Sequence, residues 1–152
     1  MSRSPKAKST GVTLSRFQII LYSFGALLAV IGLVEATYLT VMSLAGEMAV
    51  CGGSPDCFKV LGSAYARIGQ IPLAALGALA YFGAFSFAIF AAFGYRRAQL
   101  LFLLNVLAMF LVTLWLLYVQ AFLLHAFCRY CLFSAALIFL LAAVVVLTPR
   151  SD

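Results

Sequence analysis

An all-α integral membrane protein, a four-helix bundle with a short amphipathic lid helix in its first extracytoplasmic loop, is the fold that three features predict. Apolar residues make up 66% of the chain and charged residues 9%, far from the balance of soluble domains. Predominantly apolar runs cover about 17–45, 71–93, 98–126 and 128–148, each at or near the roughly 20 residues that cross a hydrocarbon layer. Lys and Arg mostly gather beside these runs, with Arg129 alone inside one and next to its start, as they do at membrane borders.

Residues 1–15 open with a basic, aperiodic stretch that reads as a solvated tail, and 149–152 form a short tail at the other end. The first apolar run, "FQIILYSFGALLAVIGLVEATYLTVMSLAG", greatly exceeds the 7–15-residue core of a signal peptide, so it is expected to remain as a span. It carries Glu35, a carboxyl group that is costly at this depth unless neutral, paired or facing a cavity; a functional and a structural role both stay open. The loop 46–70 follows. Its "CGGSPDC" stretch is rich in turn-formers and offers Asp56 as a helix N-cap, after which Phe58, Leu61, Tyr65 and Ile68 recur on one helical face, predicting the lid.

Pro72 suits the first turn of the second span, whose Ala74, Ala75, Gly77, Ala78, Gly83 and Ala84 permit close helix approach. "FGYRR" reads as a tight turn into the third span. There Asn105, Thr113, Trp115, Tyr118 and Gln120 are candidates for bonds across the bundle or for lining a pocket. The fourth span is short enough that it must begin near Cys128 to cross at all.

The formal charge of +6 does not point to nucleic acid, because the basic residues form no stripe interleaved with stacking aromatics. They set orientation instead. With the N-terminus in the cytoplasm, Arg3, Lys6, Lys8, Arg16, Arg96, Arg97 and Arg150 lie inside and Lys59, Arg67 and Arg129 outside, seven against three. Both ends are then cytoplasmic and all four cysteines extracytoplasmic, where disulfides persist.

Cys128 and Cys131, in "LLHAFCRYCLFSA", are two residues apart at a helix start, close enough to bridge. The unsatisfied amides of a first turn favour a thiolate at Cys128. Cys131 lies one turn deeper, toward a partner dissolved in the membrane. Cys51 and Cys57 enclose a flexible Gly-containing spacer suited to opening and closing a small disulfide loop. Cys57 is the better candidate to meet Cys128, leaving Cys51 for an external thiol. Two thiols becoming one disulfide release two electrons and two protons, the number that reduces a quinone to its hydroquinone, with no metal required.

Plainer readings stand beside these. Either pair is open to a structural role, as small core residues or a static loop staple, and four thiols also suit zinc, against which the five-residue spacing and the oxidising face argue. His125 is a candidate for proton transfer or for ending the third helix. Tyr65, Trp115 and Tyr130 are candidates for an aromatic pocket or for interfacial anchoring.

With "GLVEATYLT", "CGGSPDCFKVLGSAYARIGQIPLAALG" and "YVQAFLLHAFCRYCLFSA" in this order, the chain resembles the vitamin K epoxide reductase family, especially its bacterial quinone-linked members, over roughly 17–148. The resemblance implies a thiol:quinone oxidoreductase with Cys51 and Cys57 as shuttle pair and Cys128 and Cys131 as quinone-side pair. Cys131 would lie beside the quinone, able to form a transient adduct or charge-transfer complex, and Ser63 would match the loop hydroxyl that organises the redox site.

The implied acceptor is a quinone of menaquinone, ubiquinone or vitamin K type. The implied donor is a thioredoxin-like extracytoplasmic protein, separate from this chain or fused beyond its end, and the outcome is disulfide formation in secreted proteins. Reduction of vitamin K or its epoxide is a further activity the family name suggests. Gln70 departs from the family pattern, which often has glycine before the Ile-Pro pair. The rival from another class is a membrane scaffold or transport subunit with structural disulfides.

Overall fold

The computed structural model describes residues 15–45, 67–68, 71–125 and 129–148. Among them four helices are long and apolar enough to cross a membrane, so the chain is a multi-pass membrane protein built as an all-α bundle. Helix α1 is Arg16–Ala45, α2 Leu73–Ala92, α3 Arg96–Tyr118 and α4 Arg129–Leu147. Helices adjacent in sequence pack on one another, α1 most heavily on α2, and α4 packs more on α1 than on α3, which closes the ring.

The start of α1 is set by a capping box. Gln18 Oε1 accepts from the Ser15 amide at 3.0 Å, while the Gln18 amide donates to Ser15 Oγ at 3.3 Å, so two groups that the helix cannot pair internally are satisfied reciprocally. The turn from α2 to α3 is a Schellman motif. The Gly94 amide donates to the Ala91 carbonyl at 3.0 Å and the Tyr95 amide to that of Phe90 at 3.3 Å, with Gly94 in the left-handed region at φ 92°. The Phe90 and Tyr95 rings meet edge to face across the same motif, completing its apolar contact.

Ahead of α2, Arg67–Ile68 and Ile71–Pro72 form a short antiparallel pair in which Ile68 faces Ile71 in the ladder and Arg67 faces Pro72. This corrects two expectations. Ile68 belongs to a strand and not to a lid helix, and Pro72 is the extended N-cap of α2 rather than part of its first turn. The proline itself supplies the reason: it holds Ile71 in extended backbone, and an extended Ile71 pairs back upon Ile68. The rest of the anticipated lid lies outside the described residues.

The core is dominated by small side chains, Ala26, Ala29 and Ala36 of α1, Ala84, Ala88 and Ala91 of α2 and Ala98 of α3, with Phe102, Val106 and Leu141 filling between them. Most large apolar residues point outward, as expected where the surrounding solvent is lipid. Tyr22 and Phe102 join α1 to α3 edge to face, and Phe110 and Phe139 join α3 to α4. Two threonine hydroxyls at depth are satisfied within their own helices, Thr40 on the Ala36 carbonyl and Thr113 on that of Met109, both at 2.7 Å.

One small residue is required by shape. A methyl group at Gly32 of α1 would fall within the Tyr81 ring of α2, on Cδ1, Cε1 and Cζ. Gly77, expected to serve close packing, has no atom within 4 Å of the corresponding position.

Two stability outcomes follow. Gly94→Ala is expected to cost about 1–2 kcal/mol, because an L side chain must adopt the left-handed region there. Gly32→Ala is expected to cost about 1–3 kcal/mol, because a ring must leave its place in a packed core. Both are measurable by thermal unfolding of the purified protein in detergent.

Candidate functional site

Cys131 is the third residue of α4 and is partly buried, so its thiol lies at the mouth of the bundle rather than on its outer surface. Ser134 follows three residues later, one turn deeper on a neighbouring part of the same helix face. Cys128, which would share the first turn with Cys131, lies outside the described residues, as do Cys51, Cys57, Ser63 and Tyr65.

Beneath Cys131 the spans are joined by polar groups. Tyr81, only 2% exposed, places its phenol oxygen 2.6 Å from Ser134 Oγ and also donates to the Ser134 carbonyl at 3.3 Å, linking α2 to α4. Glu35 reaches the same neighbourhood from α1. Its Oε1 atom is buried, and it stands one turn past Gly32, the residue of α1 that lies against the Tyr81 ring. One residue back along α2, the Ala80 carbonyl accepts from Asn105 Nδ2 of α3 at 2.9 Å. All four helices therefore contribute to a single polar level.

That level is expensive. An acidic side chain near the centre of a spanning helix costs about 2.5–3.5 kcal/mol to insert, whereas interhelical hydrogen bonds in membranes return on average about 0.6 kcal/mol and at most about 1.7 kcal/mol. Helix association alone does not offset Glu35, and intramembrane ionisable groups of this kind generally face a cavity, a substrate or a proton path.

The other sequence candidates separate by position. After Tyr118 the third helix widens into a π-helical segment, Val119–Leu124, which buries both Val119 and Gln120, the latter to 2% exposure. His125 ends this segment in the left-handed region at φ 49°, with its amide donating to the Gln120 carbonyl. Its backbone thus serves to stop the helix, in a conformation histidine tolerates better than most residues.

Trp115 is 54% exposed and stacks on Tyr118, which in turn meets Phe122, so this aromatic row lies along the outside of the bundle. Tyr130 is partly buried beside Cys131 in the first turn of α4. Of the polar residues of the third span, Asn105 bonds across the bundle, whereas Thr113 bonds its own helix. Among the described residues no three His, Cys, Asp or Glu side chains cluster as metal ligands.

Sequence reasoning singled out Glu35 and Cys131 but passed over Tyr81 and Ser134, which join them. The available signal was weak: one phenol amid small residues in "ALGALAYFGAF", and one hydroxyl a single turn past the second cysteine of "CRYCLFS".

Comparison with curated proteins finds no match. The model of the vitamin K epoxide reductase family matches residues 4–146, a stretch that contains the four spans almost entirely, the polar level and all four cysteines. A match over nearly the whole length of a four-span bundle shows that the chain belongs to the vitamin K epoxide reductase family, a class of membrane redox enzymes.

Proposed function

We propose that this protein is a membrane thiol:quinone oxidoreductase that reoxidises a thioredoxin-like carrier outside the cytoplasm. The observation that carries this reading is the family match over residues 4–146, with both cysteine pairs inside it. The excess of Lys and Arg on the side of the two chain ends supports an orientation with both pairs extracytoplasmic.

In this reading the reduced carrier attacks the Cys51–Cys57 disulfide at Cys51, forming a mixed disulfide that its second thiol resolves, leaving the pair reduced. Cys57 then attacks Cys128 of the Cys128–Cys131 disulfide, and Cys51 resolves the bond between them. The inner pair, now two thiols, returns to a disulfide by giving two electrons and two protons to a quinone of menaquinone, ubiquinone or vitamin K type. The overall change is one carrier dithiol and one quinone to one disulfide and one hydroquinone, so nothing else need be consumed.

Several features favour the quinone-side role of Cys131. It is partly buried at the bundle mouth, next to lipid in which a quinone is already concentrated, and the first turn of α4 presents amide hydrogens that stabilise a thiolate nearby. Ser63 is assigned to keeping the redox loop organised. Tyr65 and Tyr130 are assigned as aromatic neighbours of the quinone, and His125 as a candidate for exchanging protons with the outer solvent. Trp115, on the outer row, is better suited to the path by which a quinone approaches from lipid.

Quinone reduction, followed by the loss of quinone absorbance with a reduced thioredoxin-like carrier as donor, is expected to be abolished by Cys131→Ser; full turnover in that variant would overturn the assignment. Non-reducing electrophoresis is expected to reveal a mixed disulfide between Cys51 and the carrier in Cys57→Ser, and a Cys57–Cys128 bond when Cys51 and Cys131 are both serine. A scaffold with inert disulfide staples would yield neither species.

A further inference from the structure

Thiol-to-quinone transfer moves protons as well as electrons, and the hydrocarbon layer holds no water to carry them. The polar level below Cys131 has the composition such a path needs. Ser134 sits one turn from Cys131, Tyr81 Oη is 2.6 Å from Ser134 Oγ, and Glu35, its Oε1 buried, stands one turn past Gly32, which lies against the Tyr81 ring. The position is well inside the membrane: Tyr81 lies eight residues past Leu73 and Ser134 five past Arg129, about 12 Å and 7.5 Å along their helices at about 1.5 Å per residue.

The Tyr81–Ser134 contact also has two hydrogen-bond arrangements. When the phenol donates to the Ser134 carbonyl, Ser134 Oγ–H donates to the phenol; when the phenol donates to Ser134 Oγ, the serine proton is released toward another acceptor. Rotation of two hydroxyls interconverts them, with no movement of the backbone.

Taking the quinone-reducing reading above as its basis, we propose that Glu35, Tyr81 and Ser134 form a proton relay that delivers one of the two protons to the quinone oxygen nearest Cys131 as the inner disulfide forms. Ser134 gives its hydroxyl proton to that oxygen, Tyr81 reprotonates Ser134, and the Glu35 carboxylic acid reprotonates Tyr81. The resulting carboxylate regains its proton through the same chain run in reverse, as the Cys131 thiol gives its proton to Ser134, Ser134 to Tyr81 and Tyr81 to Glu35, while the other thiol supplies the second proton to the quinone. Two thiols and a quinone become a disulfide and a hydroquinone, and the relay ends as it began. Gly32 is the positioning residue of this device, since its lack of a side chain is what lets the Tyr81 ring lie where its hydroxyl meets Ser134.

The test uses the full chain in detergent, with dithiothreitol as donor and a short-chain ubiquinone as acceptor. Glu35→Gln and Tyr81→Phe are expected to lower kcat on the order of 10²-fold, the scale of general acid–base catalysis, with KM for the quinone unchanged. Reduction of the inner disulfide by dithiothreitol, followed by maleimide labelling, is expected to proceed at the wild-type rate. Glu35→Ala is expected to regain turnover on addition of acetic acid, which a purely structural carboxyl would not allow.

Wild-type kcat in folded Glu35→Gln, or a KM increase without loss of kcat, would overturn the relay while leaving quinone reduction intact. The near-isosteric Glu35→Gln keeps the test decisive if Tyr81→Phe does not elute as the wild type does. Absence of quinone reduction by the wild type would overturn the underlying function, and the relay with it.

Discussion

The passage of α1 across the Tyr81 ring is the constraint on which the rest of the bundle depends. Lipid tails are as apolar as leucine, so burial alone gives a spanning helix little reason to turn one face inward rather than another. Shape and polar contacts must make that choice. Gly32 leaves a gap, the Tyr81 ring fills it, the hydroxyl reaches Ser134, and the neighbouring Ala80 carbonyl takes the Asn105 amide. The rotation of four helices about their own axes is set at one depth by one ring and two hydrogen-bonding side chains, and the alanine-rich core then closes around them.

This arrangement ties packing to chemistry through α4. Cys131 and Ser134 share one helical turn, so the bond that holds Ser134 against Tyr81 also determines which way the thiol-bearing turn is rotated. In the proposed quinone-side role Cys131 must be reachable from lipid yet kept from random oxidants, and its partly buried position near the start of α4 suits both demands. In the proposed relay, the contacts that orient the helix and the groups that would handle protons are the same few side chains, which would account for polar residues in a place where lipid makes them costly.

Much of the architecture was legible because membrane insertion makes length and hydropathy decisive: the four runs of the sequence correspond to the four helices within a few residues at each end. Their inward faces were not legible. In a helix apolar all round, periodicity carries little information, and Gly32 meets Tyr81 from another span entirely. The SRFQ capping box was present in the chain and decides where α1 begins, although only the apolar run after it was read. Polarity at depth was a mixed guide, as Asn105 crosses the bundle but Thr113 bonds its own helix, and Trp115 faces outward with Tyr118. Of the four cysteines, whose spacing in the chain suggested the chemistry, only Cys131 lies among the described residues.

The wide turn at Val119–Leu124 has a consequence for how such chains tolerate change in length. A π-helical segment amounts to one surplus residue accommodated within an otherwise regular helix. Deleting a residue there would relax it to ordinary winding at little local penalty and, because the surplus residue is already absorbed locally, would leave the helix on either side in nearly its present rotation. A deletion in the regular winding before it has no such slack and would swing everything beyond by about 100°, so this short stretch is where the third span can lose a residue with least disturbance.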